Sequence, residues 1–255
     1  MDSSTRTQAP REVSSTVQAP EDLGIKATFT LICDGESKGN VRPVWAGQSD
    51  DELSDYGREQ AKALGNWFVK EGKIFDTVYV SDLKRAQQTA DEITKCAKII
   101  PPLKIDASLR EISFGEADGK PYVAELTPGL SLEDHFDQGI FPHIRNRIDR
   151  FPGGESKDDL ARRAESVVQK LVIPIIEGTP NAHVAIVSHG VFLRELLYAL
   201  HRRNGSLAEY KYLEPTAWTE MEIEIPQNST VESVPINLDV KDINRREHLE
   251  GLVDK

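Results

Sequence analysis

Apolar residues in this chain fall into short continuous runs separated by longer segments with helical spacing. The runs ATFTLIC (27–33), FDTVYVS (75–81) and HVAIVSHG (183–190) are short and rich in β-branched residues, which predicts buried strands. Apolar residues three and four positions apart predict helices in the segments DYGREQAKALGNWFVKEG, DLKRAQQTADEITKCA and VFLRELLYALHRRNG. The alternation predicts an α/β protein with three α/β/α layers, in which helices cover both faces of a mostly parallel central sheet.

Weaker patterns add four elements. A further helix is predicted over SKDDLARRAESVVQKLVIPIIEG (156–178), and a short strand near Ile105. The alternating segment TEMEIEI (219–225) predicts an edge or antiparallel strand. The C-terminal INRREHLEGLVDK is interpreted as either a docked helix or a segment for a partner.

Short polar residues and glycines mark the predicted helix ends. Ser81 or Asp82 is the expected N-cap of the second helix, because such side chains accept hydrogen bonds from free amides at a helix start. Gly72 and Gly205 are expected to end the first and last of the three helices, since glycine readily adopts the left-handed conformation found there.

The chain is predicted to be one domain with a tail. Residues 1–24 are rich in Ser, Thr, Gln and Pro and contain no aromatic residue, which predicts a disordered N-terminal tail. Residues 25–255 show no internal repeat and no strong linker, so they are expected to form a single domain. The segment around 101–152 contains six prolines and little periodicity, which indicates a cap or lid insert.

Composition narrows the classes of partner. The net charge is −11, and no cluster of Lys and Arg is dense enough to follow a nucleic-acid backbone, so no nucleic-acid partner is expected. No apolar run approaches the eighteen residues that span a bilayer, so no membrane partner is expected. The two cysteines have no metal-site or disulfide spacing, which favours a reduced, cytoplasmic compartment. The oligomeric state is left open.

Polar residues follow each of the three clear strands. Cys33 and Asp34 come after the first strand, Ser81 and Arg85 after the second, and His189 after the third. Ligands of open α/β sheets bind beyond the carboxyl ends of the strands. We therefore expect these residues to share one site.

Each candidate taken alone also has an ordinary structural explanation. A lone His189 beside a core strand would most often be a hydrogen-bonded structural residue, and Arg85 would equally suit a solvated helix face. Glu111, in SLREISFGEADGK, could simply face solvent. Together they favour a site, because Arg85 in the first turn of a helix suits an anion and Glu111 near it suits a general acid.

Five motifs resemble a known family when they are taken in order. They are LICDGESKGN, SDLKRAQQTA, LREISFGEADGK, FPGGES and VAIVSHGVFLREL. Their order is similar to that of the histidine phosphatase superfamily, in its phosphoglycerate mutase-like branch. The resemblance covers most of residues 27–225 and implies the phosphoglycerate mutase-like α/β fold.

The resemblance also implies roles for individual residues. In that family an Arg-His-Gly-Glu run supplies a nucleophilic histidine and an arginine that binds phosphoryl oxygens. The nucleophile position here is Asp34 and the arginine position is Cys33. The second phosphate-binding arginine falls on Arg85, the second histidine on His189, and the acid that protonates the leaving group on Glu111.

The first motif closes with Asn40, which matches the family's asparagine and joins Cys33 and Arg85 as an expected substrate-binding position. The change from Arg to Cys removes a permanent cation, and the change from His to Asp adds a carboxylate. A like charge at 4 Å costs about 4 kcal/mol at an effective dielectric constant near 20. Phosphohistidine chemistry at position 34 is therefore excluded.

Three interpretations of function stay open. The favoured one is an enzyme repurposed for acid–base chemistry (hydrolysis, dehydration or isomerisation) on a small, non-phosphorylated anion held by Arg85. Repulsion between Asp34 and Glu111 would raise one of their pKa values and so provide an acid and a base. The second is a catalytically inactive pseudophosphatase that serves as a binding module. The third is a weak phosphomonoesterase in which Asp34 attacks phosphorus.

No cofactor is predicted. Asp34, Glu111 and His189 would suit a divalent metal by residue type, but no ligand spacing favours one, so no metal site is predicted. The cap segment carries six aromatic or histidine side chains, which indicate either an aromatic-lined cavity or a packed cap. These residues are Phe114, Tyr122, His135, Phe136, Phe141 and His143.

Overall fold

A computed structural model describes residues 24–123, 125–227 and 234–252. The predicted tail, residues 1–24, lies outside these ranges except for Gly24. The strands are β1 (Ile25–Cys33), β2 (Thr77–Val80), β3 (Leu103–Ile105), β4 (Tyr122–Val123), β5 (Phe141–Pro142), β6 (His183–Ser188), β7 (Trp218–Ile225) and β8 (Asn237–Arg245). The helices are α1 (Asp55–Lys70), α2 (Lys84–Cys96), α3 (Leu132–Asp137), α4 (Lys157–Val167), α5 (Ile173–Gly178) and α6 (Gly190–Arg203).

The central sheet has six strands in the order β3-β2-β6-β1-β7-β8. Strands β1, β2, β3 and β6 are parallel, while β7 is antiparallel to β1 and β8 is antiparallel to β7. The predicted α/β fold with a mostly parallel sheet is confirmed. The three strands with polar residues at their ends are β2, β6 and β1, which lie next to one another in the sheet.

Both faces of the sheet are covered, which explains why β1 is apolar along most of its length. Phe29 and Leu31 pack in one hydrophobic cluster with residues of α4, α5 and α6. Ile32 points to the opposite face and packs in a second cluster with residues of α1 and α2. A strand buried on both faces reads as a continuous apolar run rather than as an alternation.

The C-terminal part of the chain differs from prediction. β7 is antiparallel as expected, but it does not form the edge of the sheet, because β8 pairs with its outer side. The predicted docked helix within INRREHLEGLVDK is wrong over the described residues: β8 extends to Arg245, and only a 3₁₀ turn, Glu247–Leu249, follows.

The start of α2 also differs from prediction. Its N-cap is Leu83, and no side chain makes a cap hydrogen bond there. The Ser81 hydroxyl accepts a hydrogen bond of 3.3 Å from the amide of Leu83 and also lies against His189, while the Asp82 carboxylate accepts hydrogen bonds from Arg110. At the other helix ends, Gly72 and Gly205 have φ of +68° and +67°, as their predicted role requires.

The helix predicted over 156–178 is confirmed, and it contains a π-helical turn. α4 ends at Val167, the π-helical turn covers Val168–Val172, and α5 begins at Ile173. The backbone stays in the right-handed helical region through both junctions. Pro174 has no amide hydrogen to donate, so the regular hydrogen-bond ladder cannot be complete there, which agrees with a π-helical turn directly before it.

The cap segment packs around one tryptophan from the loop after β1. The ring of Trp45 lies 4.8 Å from that of Phe114 and 5.2 Å from that of Phe151, measured between ring centroids. Its indole Nε1 donates a hydrogen bond of 2.8 Å to the carbonyl oxygen of Phe141 in β5, the strand that pairs with β4. These contacts fix the wall of the cap that faces the strand ends.

A buried ion pair ties the loop before α4 to α6. The two terminal nitrogens of Arg147 lie 3.1 and 3.0 Å from the carboxylate oxygens of Glu195, which is fully buried. The same guanidinium donates to the Asp158 carboxylate at 2.8 Å. In the part of the chain that the structure describes, no helix has the length and apolar character needed to cross a bilayer.

Candidate ligand pocket at the strand ends

A cavity of about 420 Å³ opens beyond the carboxyl ends of β1, β2 and β6. In the parallel pairing of β1 with β6, Cys33 lies opposite Ser188. The residues that follow, Asp34 and His189, are therefore neighbours at the floor of the cavity. Of the residues expected at the site, six line this cavity and Ser81 does not; the six are Cys33, Asp34, Asn40, Arg85, Glu111 and His189.

The Asp34 carboxylate lies between two potential cations. Its Oδ2 is 2.8 Å from Nε of Arg85 and 2.9 Å from Nδ1 of His189. The backbone of Asp34 is held independently: its amide donates to the carbonyl oxygen of Ser188 at 2.7 Å, and its carbonyl oxygen accepts from the amide of Thr216 at 3.1 Å. The side chain is thus placed by the sheet and by the loop before β7.

Arg85 uses its guanidinium within the protein. In addition to the contact with Asp34, its Nη1 donates to the carbonyl oxygen of Ser49 and its Nη2 to that of Gly47, each at 2.7 Å. Arg85 is 3% exposed. The sequence predicted that Arg85 would bind an anionic ligand, but its guanidinium already contacts one carboxylate and two carbonyl oxygens of the protein.

His189 connects Asp34 to a serine beneath the pocket. Its Nδ1 faces Asp34, and its Nε2 lies 2.8 Å from the hydroxyl oxygen of Ser81. The order of these groups is that of a Ser-His-Asp triad. Ser81, however, is fully buried and does not line the cavity, whereas Asp34 does. A nucleophile must reach the substrate, so this chain of hydrogen bonds orients the imidazole and does not form a serine nucleophile site.

Glu111 is held by backbone amides at the start of α6. Its Oε1 accepts hydrogen bonds from the amides of Ile112 (2.8 Å) and Phe192 (3.0 Å), and its Oε2 accepts one from Val191 (3.0 Å). The partial positive charge of a helix N-terminus attracts a carboxylate, so α6 fixes the position of this side chain. The sequence placed this residue at the pocket but did not predict that the helix would hold it.

The shifts in pKa at the floor of the pocket follow from burial and from these contacts. Burial raises the pKa of the Asp34 carboxyl, but the charge and hydrogen bond of His189, together with Arg85, outweigh it and leave this pKa below its ordinary value. Burial and the neighbouring carboxylates of Asp34 and Glu111 raise the pKa of the Cys33 thiol well above its ordinary value. Position 34 therefore carries a carboxylate, and position 33 carries a protonated thiol.

Cys33 and Asn40 have local partners as well. The Cys33 thiol lies 3.6 Å from the carbonyl oxygen of Leu213 and 3.5 Å from Oδ1 of Asp34. The Asn40 side chain accepts hydrogen bonds of 2.9 Å from the amide and the hydroxyl of Ser37, which closes the loop after β1.

The cap supplies only part of the predicted aromatic set to the cavity. Phe114, Tyr122 and His143 line it. His135 is fully buried and accepts a hydrogen bond from the amide of Thr127, while Phe136 packs in the cap interior. Phe141 also packs there, against Phe151. Both interpretations of the cap are thus partly correct, with half of the set in the pocket and half in the cap core.

Sequence reasoning missed several residues of the pocket wall. Trp45 comes from a polar loop without periodicity, and Tyr212 and Leu213 come from the loop between α6 and β7. The presence of a large aromatic residue in an otherwise polar loop was the one feature of the sequence that could have indicated a role for Trp45. Nothing in the local pattern distinguishes Tyr212 and Leu213.

The pocket residues do not form a metal centre. Over residues 24–123, 125–227 and 234–252, no group of three or more His, Cys, Asp and Glu side chains is arranged to hold a metal ion. Asp34 and His189 instead contact each other, and Glu111 is occupied by amides.

The fold and the cavity at the strand ends define a phosphoglycerate mutase-like α/β protein. Comparison with known families gives the same result: the sequence profile of the histidine phosphatase superfamily (branch 1) matches residues 29–234. The chain belongs to this family.

Similar proteins include phosphoglycerate mutases and phosphatases. The chain is 29% identical over 176 residues to a 2,3-bisphosphoglycerate-dependent phosphoglycerate mutase of Afipia carboxidovorans, which covers 68% of this chain and 81% of that protein. It is 29% identical over 221 residues to a glucosyl-3-phosphoglycerate phosphatase of Mycobacterium tuberculosis, with 83% and 92% covered. The solved structure of mycobacterial hydrolase 1 superposes with a TM-score of 0.63 at 25% identity and covers 86% of this chain and 99% of that one.

Proposed function

We propose that this protein is a member of the histidine phosphatase superfamily that does not transfer phosphoryl groups and that uses its pocket to bind a small molecule. One observation carries the proposal. The Asp34 carboxylate lies within 2.9 Å of both Arg85 and His189, the two groups that the family resemblance assigns to the phosphoryl oxygens.

Charge explains why this arrangement disfavours a phosphate ester. A phosphoryl dianion at the floor would have to compete with Asp34 for Arg85 and would also lie near Glu111. A single like charge at 4 Å costs about 4 kcal/mol at an effective dielectric constant of 20, which corresponds to roughly a thousandfold in affinity. Cys33, which stays protonated, supplies no cation in compensation.

The geometry gives less support to repurposed acid–base catalysis, the interpretation that the sequence favoured. That chemistry requires one carboxyl group that holds its proton near neutral pH. The pKa of Asp34 is shifted in the opposite direction, and the side-chain oxygens of Glu111 already accept hydrogen bonds from three backbone amides. Arg85, the expected handle for an anionic substrate, is also already paired.

The weak phosphomonoesterase is less well supported still. An aspartate that attacks phosphorus needs nearby cations to neutralise the phosphoryl oxygens. The nearest cation, Arg85, is bound to the attacking carboxylate itself. Even if the other oxygen of Asp34 attacked, Arg85 could bind the phosphoryl oxygens only after this ion pair had broken.

The test uses p-nitrophenyl phosphate and three chains: the natural protein, the double variant Cys33→Arg/Asp34→His, and the matched control Cys33→Arg/Asp34→Asn. The control restores the arginine without a nucleophile. We expect the natural chain and the control to be silent and the Arg-His variant to release p-nitrophenol. That result would show an intact scaffold in which only the first motif prevents catalysis.

Hydrolysis by the natural chain that disappears in Asp34→Ala would refute the proposal and establish Asp34 as a nucleophile. Silence of all three proteins would still agree with a binding module, but it would mean that more than the first motif has diverged. Circular dichroism and the urea unfolding midpoint of each variant would show whether silence reflects unfolding.

A further inference from the structure

The wall of the pocket, like its floor, lacks the predominantly cationic lining that an anion site needs. Above the floor, the wall is apolar and aromatic, with Trp45, Phe114, Tyr122 and Leu213 among its residues. A cavity of about 420 Å³ with an apolar wall and a few polar groups has the size and character of a small-molecule site.

The charges that line the cavity are mostly negative. Four carboxylates line it, against two permanent cations, Arg85 and Lys157. Of the carboxylates, Glu155 is neutralised by Arg163, whose Nε and Nη2 lie 2.9 and 2.8 Å from its oxygens. The others are Asp34, which is paired with Arg85, and Glu111 and Asp149.

Asp34 also keeps an acceptor for a ligand. Both of its strong contacts involve Oδ2, whereas Oδ1 has only the Cys33 thiol, a weak donor at 3.5 Å, among the described residues. A carboxylate oxygen accepts more than one hydrogen bond, so Oδ1 can accept from a ligand N–H without loss of the pair with Arg85.

The aromatic wall suits the same ligand chemistry. Trp45 and Tyr122 pack with ring centroids 4.8 Å apart, and Tyr122 is 40% exposed. Aromatic rings bury large apolar areas and pack against other rings, so this wall suits the apolar body of a ligand.

We infer that the pocket binds a primary amine with an apolar, aromatic-sized body. The ammonium group donates to Oδ1 of Asp34, and the apolar body lies against Trp45, Phe114 and Tyr122. This inference rests on the proposed function, because it assigns a ligand class to the same non-catalytic pocket.

The test compares three probes of nearly equal shape by isothermal titration calorimetry with the natural chain. 2-Phenylethylamine is cationic, 2-phenylethanol is neutral and 3-phenylpropionate is anionic. We expect the amine to bind at least about tenfold more tightly than the alcohol, and the carboxylate to bind most weakly. Equal affinity for amine and alcohol, preference for the carboxylate, or no binding of any probe would overturn the inference.

Variants locate the charge contact. In Asp34→Asn the preference for amine over alcohol should fall to about twofold or less, whereas the matched control Asp91→Asn, an exposed carboxylate of α2 outside the cavity, should keep it. Tyr122→Ala should weaken amine and alcohol alike, leaving their ratio unchanged. An amine preference that survives Asp34→Asn in a folded protein would also contradict the inference.

The outcomes separate this inference from the proposed function. Hydrolysis of p-nitrophenyl phosphate by the natural chain refutes the proposed function whatever the probes do. A silent protein that binds the neutral probe as well as the amine leaves the proposed function standing and refutes only the ligand class.

Discussion

Arg147, in the loop before α4, forms a two-point ion pair with Glu195, a fully buried residue of α6. The arginine side chain is 47% exposed, so one partner is open to water and the other is not. The contact is the buried charge pair that joins the end of the cap segment to the helix whose first turn holds Glu111. Neither residue lines the pocket, so substitutions here should change the stability of the fold without changing a ligand contact.

Arg147→Ala should lower the free energy of unfolding by about 2 kcal/mol, because the buried Glu195 carboxylate loses its two-point partner and keeps only Arg194, whose Nη2 lies 4.0 Å away. Removing one member of a fully buried pair costs about 3–5 kcal/mol, and the exposure of Arg147 reduces this value. Urea denaturation measures the change.

Arg150→Ala is the matched control, since Arg150 is 54% exposed and pairs with Asp159 on the surface. Its effect should stay within about 0.5 kcal/mol. Equal losses of unfolding free energy in the two variants would mean that the pair with Glu195 stabilises the fold no more than a surface ion pair does. In the double variant Arg147→Ala/Glu195→Gln, part of the loss should be recovered, because no buried carboxylate is then left without its two-point partner.

Removal of the Asp34 charge should create an anion site. In Asp34→Asn, Arg85 and His189 no longer face a carboxylate, so inorganic phosphate should bind at least about tenfold more tightly than to the natural chain. Calorimetric titration of phosphate at low ionic strength measures this gain. Asp149→Asn serves as the control, since Asp149 also lines the cavity but contacts neither cation in the described structure. Unchanged phosphate affinity in Asp34→Asn would mean that Asp34 does not block the two cations.

The folded protein should lose stability on mild acidification because of His248. Burial lowers the pKa of this histidine to about 4, with a further contribution from Arg246. The unfolded chain, with an ordinary histidine pKa near 6.5, binds the proton more readily, so stability falls as the pH decreases from about 6.5 to 4. The loss between pH 7 and pH 5 should be about 2 kcal/mol.

His248→Gln should flatten the dependence of the unfolding free energy on pH in this window, since glutamine does not titrate. His143→Gln, at an exposed histidine, controls for the loss of an imidazole. Urea unfolding at pH 7, 6 and 5 provides the data. A slope that is unchanged in His248→Gln would show that another group is responsible.

Ser81 should not react as a nucleophile, despite its bond to His189. A fluorophosphonate probe, which labels activated serines, should leave the natural chain unmodified in intact-mass spectra, because the hydroxyl is fully buried beneath the imidazole. A trypsin sample labelled under the same conditions verifies the probe. Modification at Ser81, located by peptide mapping, would show that the pocket floor opens and that the triad-like order has chemical meaning.

The part of the fold that follows local patterns could be predicted from the sequence. The buried runs at β1, β2 and β6 are continuous because both faces of the sheet are covered, and their ends brought Asp34, Arg85 and His189 together as expected. The C-terminal strand β8 was missed because its partners are 13 or more residues away in β7 and its burial is only partial. Such pairing depends on tertiary contacts rather than on periodicity.

At the candidate site, too, local sequence predicted which residues meet but not how their side chains are paired. Strand-end position and residue type placed Glu111 at the pocket, but nothing local indicates that the amides of Val191 and Phe192, some eighty residues later, would hold its carboxylate. Likewise, residue type and position predicted that Arg85 would bind an anionic ligand. The structure shows that Arg85 instead forms an ion pair with the Asp34 side chain. Residue types predicted which groups meet, and the distances show which of them are already paired.

The backbone of Asp34 is fixed on both sides without help from its side chain, through the carbonyl of Ser188 and the amide of Thr216. A residue held in this way can be exchanged while the surrounding backbone keeps its course. Libraries at position 34 alone would therefore change the charge at the base of the cavity one residue at a time. Because the backbone stays the same, the affinities of such variants for anionic, cationic and neutral ligands can be compared directly.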